Sequence, residues 1–463
     1  MNKSRLTMLV SITIVLSFLA FYGGLSTSSI ELQKAESKAA SNSSNHSSQI
    51  ASSDPMLNAD EGVNTTELYY NVYQLVKNEY VDKLDNKDDK KLSYGTIRGM
   101  LAYLENPGNR LLEPEEVKAR EDALRGQFNG IGAYLTTDHR FENGMQHYVL
   151  EVITPMPGSP AEKAGLKPDD VIDAVNGRWV LSHNIIDELE PLRKAVINKK
   201  ATQSDYAKVA KEAIAKQENA ILISEAVKIL SQPSDQPIKL TIKRAGVKNP
   251  IEVTILAAAT NVDPIDYHLL NEKWGYIQVR LVNEQAASDF ATAVMALKPR
   301  MKALVIDLRD NPGGSEANAL KILQTILPAN TVVAQLEVHK GDKTKKPLKI
   351  TTGTKLGIPI VVLTDHGTNN IAEMMTAALR EKADAKVIGG ATHGDAMVYK
   401  PIPMRDGSMV ILTTGMYYSP KNKTFSKIGI KPDETATSAG NYGDTTKDVP
   451  LQRALALLSK GGV

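Results

Sequence analysis

The stretch that decides the fold is Ala303-Leu-Val-Ile-Asp307-Leu-Arg309-Asp-Asn-Pro-Gly313-Gly314. The run from Ala303 to Asp307 is apolar and is followed by turn residues, which is typical of a strand covered on both faces of a sheet. The turn after it offers backbone amides at the carboxyl end of that strand, so Gly313 and Gly314 are candidate donors to an oxyanion. The stretch therefore predicts an α/β domain with a functional site at this strand end.

The sequence on both sides of this stretch continues as alternating strands and helices. An alternating order of this kind favours a sheet with helices packed on its faces. We therefore predict an α/β core over residues 259–440, followed by a C-terminal tail with a helix over 441–463. The predicted elements are the strands Trp274–Val279 and Pro359–Leu363 and the helices Glu284–Met295 and Ile371–Arg380.

A second pattern lies upstream, where residues 158–172 read Gly-Ser-Pro-Ala-Glu-Lys-Ala-Gly-Leu-Lys-Pro-Asp-Asp-Val-Ile. Pro160 is suited to begin a short helix, Gly165 to end it, and Pro168 with Asp169 to form the next turn. The stretch resembles part of a PDZ domain, a module that binds peptide C-termini, and we assign that domain to residues 128–258. A helical insertion is predicted within it, at about 182–224.

The start of this predicted PDZ domain contains a glycine-flanked loop. Gly130, Ile131, Gly132 and Ala133 precede a strand, and their amides are candidates to bind the carboxylate of a peptide C-terminus. The alternative is a PDZ domain that only packs against its neighbour. We favour peptide binding because a loop followed by a strand edge suits addition of an extended peptide.

The N-terminal segment predicts export. Lys3 and Arg5 precede an apolar run from Leu6 to Tyr22, which indicates a signal peptide or membrane anchor over residues 1–27. Residues 28–60 are rich in Ser and Asn and are predicted to be a linker. Residues 61–127 then show helical spacing of apolar residues and are predicted to form a helical domain that ends with a helix over 120–127. We expect an extracytoplasmic protein that is either membrane-anchored or secreted.

Composition excludes several functions. The formal net charge is only +2, from 55 basic and 53 acidic residues, which gives no reason to expect nucleic acid as a partner. The chain has no cysteine, so thiol nucleophiles, thiolate metal sites and disulfides are absent. No cofactor is predicted.

The order of these segments resembles the carboxyl-terminal processing (tail-specific) serine proteases over about residues 66–437. The resemblance is carried by the PDZ stretch, by residues 307–314, by Pro359–Leu363, by Tyr417-Tyr-Ser-Pro420 and by Gly429-Ile-Lys-Pro-Asp433. It implies a PDZ domain that delivers the substrate's C-terminus to a Ser nucleophile with a Lys as general base. It also implies assembly of copies through terminal helices.

The two catalytic positions of that family are replaced in this chain. The family's Ser lies three residues before a Glu at the head of a helix, which places Asn370 at the nucleophile position and Glu373 at that Glu. The family's Lys follows Thr-Phe-Gly, which places Asp395 at the base position, and Asn370 and Asp395 keep the family's own Ser-to-Lys separation. A side-chain amide cannot form an acyl-enzyme. We therefore predict an inactive homologue that binds peptide C-termini or partner proteins.

Three alternatives remain open at the level of sequence. Thr368 with His366 or His393 can be written as a displaced catalytic set, although a hydroxyl shifted by two residues faces elsewhere. Asp365, His366, His393 and Asp395 could instead bind a metal, but they lack a spaced signature, and we predict no metal site. The third alternative is a structural scaffold with neither activity nor a ligand.

Overall fold

A computed structural model describes residues 65–104, 106, 108–142, 145–156, 158–182, 185–338, 344–437 and 442–461. The predicted leader and linker, residues 1–60, lie outside the described residues. No helix among the described residues is long and apolar enough to cross a membrane. The chain divides into two units, residues 1–84 and 85–463. Helix α1, Thr65–Glu79, is the described element of the first unit and matches the helix expected there.

The second unit opens with two helices and two short strands. They are α2 (Asn86–Tyr103), β1 (Arg110–Leu112), α3 (Pro114–Leu124) and β2 (Gln127–Phe128). Asp85 caps α2, since its side chain accepts from the Lys87 and Asp88 amides at 2.7 and 3.0 Å. Pro114 lies at the first position of α3, where the absence of an N–H costs nothing.

The predicted PDZ region forms a sheet in the order β3-β4-β5-β7-β8, with β6 paired to β5. Its elements are β3 (Ala133–Glu142), β4 (Met145–Pro155), α4 (Pro160–Lys163), β5 (Val171–Val175), β6 (Arg178–Trp179), β7 (Ile238–Lys243) and β8 (Ile251–Ile255). Gly165 ends α4 with φ +82°, in the left-handed conformation expected there. Strand β3 lies at the edge of the sheet, so its outer backbone groups face away from the other strands.

The insertion consists of two helices, and a third helix returns to the sheet. They are α5 (Ile185–Ile197), α6 (Gln203–Glu218) and α7 (Ile223–Leu230). Thr202 begins α6 by accepting from the Asp205 amide, and this cap explains why the insertion breaks into separate helices. The helices cover Trp179, and Lys216 of α6 lies 4.1 Å above its ring.

The predicted α/β core is a six-stranded sheet in the order β10-β11-β12-β15-β16-β19. Strand β10 is antiparallel to β11, and the other neighbours are parallel. Helices α8, α9 and α10 pack on one face, and α11 covers the other. The elements are β9 (Thr260–Asn261), β10 (Ile265–Leu270), β11 (Trp274–Val279), α8 (Glu284–Leu297), β12 (Ala303–Asp307), α9 (Glu316–Gln324), β15 (Ile360–Thr364), α10 (Ile371–Lys382), β16 (Lys386–Gly389), β19 (Glu434–Thr435) and α11 (Val449–Ser459).

The core contains a second, antiparallel sheet that the sequence patterns do not predict. Its strands are β13 (Val332–Val338), β14 (Lys345–Lys349), β17 (Met397–Pro403) and β18 (Met409–Tyr418). Strand β1 joins it by pairing Arg110 with Ile411 and Leu112 with Met409. Residues 110–112 are therefore bound to the core by strand pairing. The predicted succession of a helical region, a PDZ domain with a helical insertion and an α/β core amounts to an α+β multidomain class, and this class is confirmed. Every residue of β12 and β15 is buried, as expected for strands covered on both faces.

Candidate functional site

Asn370 occupies the turn between β15 and α10. Its backbone has φ 47° and ψ −108°, a strained conformation outside the regions that non-glycine residues usually adopt. Its side-chain amide donates to the carbonyls of Met397 at 2.9 Å and Asp395 at 3.2 Å. The side chain at the nucleophile position therefore links the start of α10 to residues 395–397, where β17 begins.

Asp395 lies beside Asn370, as the spacing of the two matched motifs predicts. Its carboxylate accepts from the Met397 amide at 3.0 Å and from the Tyr399 hydroxyl at 3.2 and 3.0 Å. Burial raises the pKa of Asp395, although these donors lower it. The hydrogen bond from Asn370 goes to the main-chain oxygen of Asp395, so the two replaced positions are joined through backbone.

Glu373 holds this site together from the first turn of α10. One carboxylate oxygen accepts from the Thr392 hydroxyl and from the Gly394 amide at 2.7 Å. The other accepts from the amides of Asp395 at 2.8 Å and Asn370 at 3.0 Å. The expected position of Glu373 in the helix is thus confirmed by the structure, and its role is to fix the loop that carries Asp395.

Of the glycine pair after β12, Gly313 packs against residue 370 and Gly314 packs against Val282. A Cβ on Gly313 would lie 3.4 Å from the Asn370 Cβ, and one on Gly314 would lie 2.2 Å from the Val282 carbonyl oxygen. The expectation of a free amide is wrong for Gly313, because its N–H donates to Asn311 Oδ1 at 2.8 Å within the same turn. An oxyanion role for Gly314 stays a prediction.

Thr368 is placed unfavourably for a displaced nucleophile. Its side chain is fully buried, and its hydroxyl donates to the Leu308 carbonyl at 2.8 Å while it accepts from the Asp365 amide at 3.1 Å. A longer contact of 3.3 Å joins the hydroxyl to Asp365 Oδ1. These bonds shape the loop after β15, so the hydroxyl has a structural use there.

His366 and His393 come together, with ring centroids 5.1 Å apart. The carboxylates expected beside them point elsewhere: Asp365 accepts from Thr368, from the Asp310 amide and from Tyr442, and Asp395 is engaged as described above. The nearby carboxylate is instead Asp169 of the predicted PDZ region, whose Oδ1 lies 2.6 Å from His366 Nδ1. Of the four residues considered as an alternative metal set, the two His residues therefore come together and the two carboxylates do not join them.

A cavity of about 600 Å³ lies between β3 and α7. Along β3 it is lined by residues 133–137, and along α7 by Ile223, Ser224, Val227 and Leu230. We name this cavity the groove. The Ile131 amide is not free to bind a carboxylate, because it donates to the Leu230 carbonyl at 2.9 Å. Gly132 and Ala133 line the groove, and Gly130 packs against the same Leu230 carbonyl.

Residues that line the groove at its other end lie near the Asn370 site. Asn106, Asn109 and Arg110 line it there. A Cβ on the adjoining Gly108 would lie 2.2 Å from the Tyr399 ring, and Tyr399 donates to Asp395. Arg110, which lines the groove, also acts electrostatically on Asp395.

Comparison with known proteins identifies both parts of this arrangement. Residues 273–436 match peptidase family S41, and residues 151–190 match the PDZ domain. The chain carries a PDZ domain and a peptidase family S41 core. Homologues of the chain are named carboxy-terminal processing proteases, which confirms the resemblance found in the sequence.

Relatives of this S41 chain include two proteases of Bacillus subtilis. It is 31% identical over 361 residues to carboxy-terminal processing protease CtpB and 29% identical over 365 residues to CtpA, covering 78% and 79% of this chain. The chain spans only 65% and 67% of the lengths of these two relatives. A carboxyl-terminal-processing protease of Synechocystis is 26% identical over 84% of this chain and 81% of its own length.

A solved structure has the same fold as this chain. The photosystem II D1 C-terminal processing protease aligns with a TM-score of 0.58 at 20% identity, over 81% of this chain and 94% of that one. At this identity the likeness concerns the fold alone. It agrees with the arrangement of a PDZ domain followed by an S41 core.

Sequence reasoning misses two residues near the S41 site. Tyr399 lies on β17, four residues after Asp395, and its hydroxyl donates to the Asp395 carboxylate. A lone Tyr in a strand gives no signal of such a role in the sequence. Asp169 is predicted only as a turn residue, yet it reaches the core. Its φ of 68° is compatible with the turn predicted after Pro168, so the turn by itself gives no sign of the contact with the core.

Glu373 gives the S41 core a testable pH dependence. Burial raises the pKa of Glu373 from 4.5 to about 7, although the donors from Thr392 and Gly394 lower it. Since the folded chain keeps a proton that the unfolded chain loses, stability falls as pH rises from about 4.5 to 7. Glu373→Gln abolishes this titration. We therefore expect the free energy of unfolding of the parent to fall relative to that of the variant over that pH range, by on the order of a few kcal/mol.

Urea unfolding of both proteins at pH 5, 6 and 7 measures this effect. Glu272→Gln, at an exposed turn, is the matched control and should follow the parent at every pH. Parallel pH profiles for the parent and Glu373→Gln would contradict the assignment.

Proposed function

We propose that this chain is a homologue of the carboxy-terminal processing proteases that binds peptide C-termini without cleaving them. The observation that carries the proposal is Asn370 at the turn before α10, with its side-chain amide bonded to two backbone carbonyls. Acyl transfer at this position needs a hydroxyl whose proton a neighbouring base removes. Asn370 offers no hydroxyl, and Asp395 has no such proton to accept.

The second support comes from the groove. Strand β3 is an edge strand, so an extended peptide can pair with it, while α7 offers apolar contacts from Ile223, Val227 and Leu230. The groove is also lined by three Arg residues, Arg98, Arg110 and Arg120, which outnumber the two carboxylates of Glu116 and Asp122 and favour an anionic group such as a free carboxylate. An extended peptide with a free C-terminus fits this combination of edge, apolar side and positive charge.

We also propose that the chain functions outside the cytoplasm. The support is the sequence of residues 1–27, where two basic residues precede an apolar run. Resistance of the chain to protease added to intact cells, beside degradation in lysed cells, would count against this location.

One experiment tests binding and inactivity together. Labelled unstructured peptides with a free or an amidated C-terminus are titrated with the full-length chain, and binding and cleavage are followed in the same samples. We expect saturable binding that weakens at least about 10-fold on amidation or in Val227→Glu, because the new charge on α7 faces the apolar side of the groove. We expect no cleavage product.

Lys228→Glu is the matched control for this experiment. It adds a Glu to the same helix outside the residues that line the groove, at a side chain that makes only an exposed ion pair with Glu115. It should bind like the parent. Cleavage by the parent that disappears in Asn370→Ala would refute the proposal that the chain is inactive. Equal peptide binding by Val227→Glu and the parent would refute the groove as the binding site.

A further inference from the structure

Three metal-ligating side chains meet where the PDZ domain contacts the S41 core. His366 and His393 come from the core and Asp169 from the PDZ domain, and their ligand atoms all lie within 4.8 Å of one another. These side chains do not form part of the groove or of the site around Asn370 and Asp395. The cluster therefore calls for a separate explanation.

The backbone on each side fixes where these ligands lie. Strands β15 and β16 are parallel neighbours, so the loops after them, which carry His366 and His393, meet at one edge of the sheet. The His393 amide donates to the Thr368 carbonyl at 3.0 Å, which ties the two loops together. On the PDZ side, the Asp169 amide donates to the Val152 carbonyl at 2.9 Å.

We propose that Asp169, His366 and His393 bind a divalent transition-metal ion of the zinc class, which links the PDZ domain to the S41 core. Two imidazoles and one carboxylate are a ligand set that suits Zn²⁺ and leaves a coordination position for water. The chain has no cysteine, so nitrogen and oxygen ligands of this kind are the ones it can offer such an ion.

The cluster needs only side-chain rotation to bind the ion. Ligand atoms around a tetrahedral Zn²⁺ are separated by about 3.4 Å, given bonds of about 2.0–2.1 Å. His366 Nδ1 and Asp169 Oδ1 are closer than this, at 2.6 Å, and must move apart, while the other ligand atoms lie within 4.8 Å and so near the required separation. The side chains of His366 and Asp169 are 43% and 39% exposed, which leaves them room to do so.

A further carboxylate supports the cluster. Glu151 of β4 is buried and lies beside Asp169 and His366, on both of which it acts electrostatically. Carboxylates next to metal ligands orient them and increase their affinity for the ion. The bound ion would hold ligands from both domains, so its occupancy would oppose any separation of the PDZ domain from the core.

The test uses the full-length chain purified without a histidine tag and stripped with EDTA. Zn²⁺ affinity is measured by calorimetry, and Co²⁺ is added separately so that its visible absorption reports imidazole coordination. We expect one ion per chain. His366→Gln, His393→Gln and Asp169→Asn should each weaken Zn²⁺ affinity at least about 10-fold. Circular dichroism of each ion-free variant shows that it is folded.

Two matched variants serve as controls. His268→Gln and Asp266→Asn change the same residue types on β10, where His268 packs on Tyr276 and Asp266 forms an exposed ion pair with Arg280. Both should bind Zn²⁺ like the parent.

Each outcome of the test decides one part of the proposal. The proposed metal site would be refuted if the parent showed no saturable Zn²⁺ binding, or if all three cluster variants bound Zn²⁺ as tightly as the parent. Loss in the two His variants with full affinity in Asp169→Asn would overturn the link between the domains. Zn²⁺ should also slow hydrogen exchange in residues 167–170 of the parent and leave that exchange unchanged in Asp169→Asn.

Discussion

The double substitution Asn370→Ser with Asp395→Lys is expected to give this chain peptidase activity that the parent and both single variants lack. The turn that carries residue 370 is already strained, with φ 47°, and places its side chain against the segment that carries residue 395. Buried surroundings and the nearby positive charge of Arg110 should lower the pKa of the new Lys. A neutral Lys can then accept the proton of the hydroxyl introduced at position 370.

The peptidase rate of the double variant, compared with the rates of the parent and the single variants, tests whether both residues are needed. Loss of a nucleophile or base in a serine protease costs about 10⁶-fold in rate, and we expect the double variant to recover about 10²–10³-fold over the parent because the surrounding site is not optimised. Release of a fluorescent group from an unstructured peptide measures the rate. Each single variant should stay at the parent's level. Cleavage by the parent, or by Asn370→Ser alone at the rate of the double variant, would contradict this account.

Replacing Arg309 is expected to cause the largest loss of stability. Arg309 is 1% exposed and donates to two buried carboxylates, at 2.9 Å to Asp307 Oδ1 and at 2.8 and 2.6 Å to the two oxygens of Asp448. The Tyr442 ring stacks 4.0 Å from its guanidinium. Burial alone would lower the pKa of Arg309, but the two carboxylates raise it by more, so the side chain is firmly charged.

Arg309→Met leaves Asp307 and Asp448 buried together without a cation. We expect a loss of about 3–5 kcal/mol in the free energy of unfolding, because removing one partner of a buried ion pair leaves uncompensated charge. Denaturant unfolding measures it, and Arg453→Met, an exposed ion-paired residue of α11, is the control that should change stability little. Adding Asp307→Asn and Asp448→Asn to Arg309→Met should recover part of the loss. A variant within about 1 kcal/mol of the parent would refute this assignment.

The sequence predicts the parts of this molecule that local pattern encodes. The apolar run Ala303–Asp307 predicts a strand buried on both faces, and the structure has β12 over the same residues. The juxtaposition of Asn370 and Asp395 follows from counting within matched motifs. Helix boundaries differ from the predicted ones where a capping residue fixes them. Helix α3 begins at Pro114, upstream of the predicted start at Arg120.

Contacts between distant parts of the chain cannot be predicted in this way. Arg309 belongs to a recognisable motif, but its partner Asp448 lies 139 residues later in what the sequence predicts to be a tail. The approach of Asp169 to His366 likewise depends on how the PDZ domain packs against the core. Periodicity and turn residues report the environment of a segment, and they contain no information about which other segment supplies it.

The pairing of β1 with β18 also has a consequence for how the chain is made. Arg110 is paired with Ile411, so the whole PDZ domain and most of the core must be synthesised after Arg110 before its partner exists. Pairing over such a separation is slow, because a long loop must close before the contact is rewarded. During synthesis, all strands of the PDZ sheet are present once residue 255 has been added. The strand pairing that holds Arg110 at the end of the groove requires β18, one of the last strands of the core. A nascent chain therefore contains every strand of the PDZ sheet well before it contains the strands that complete the groove.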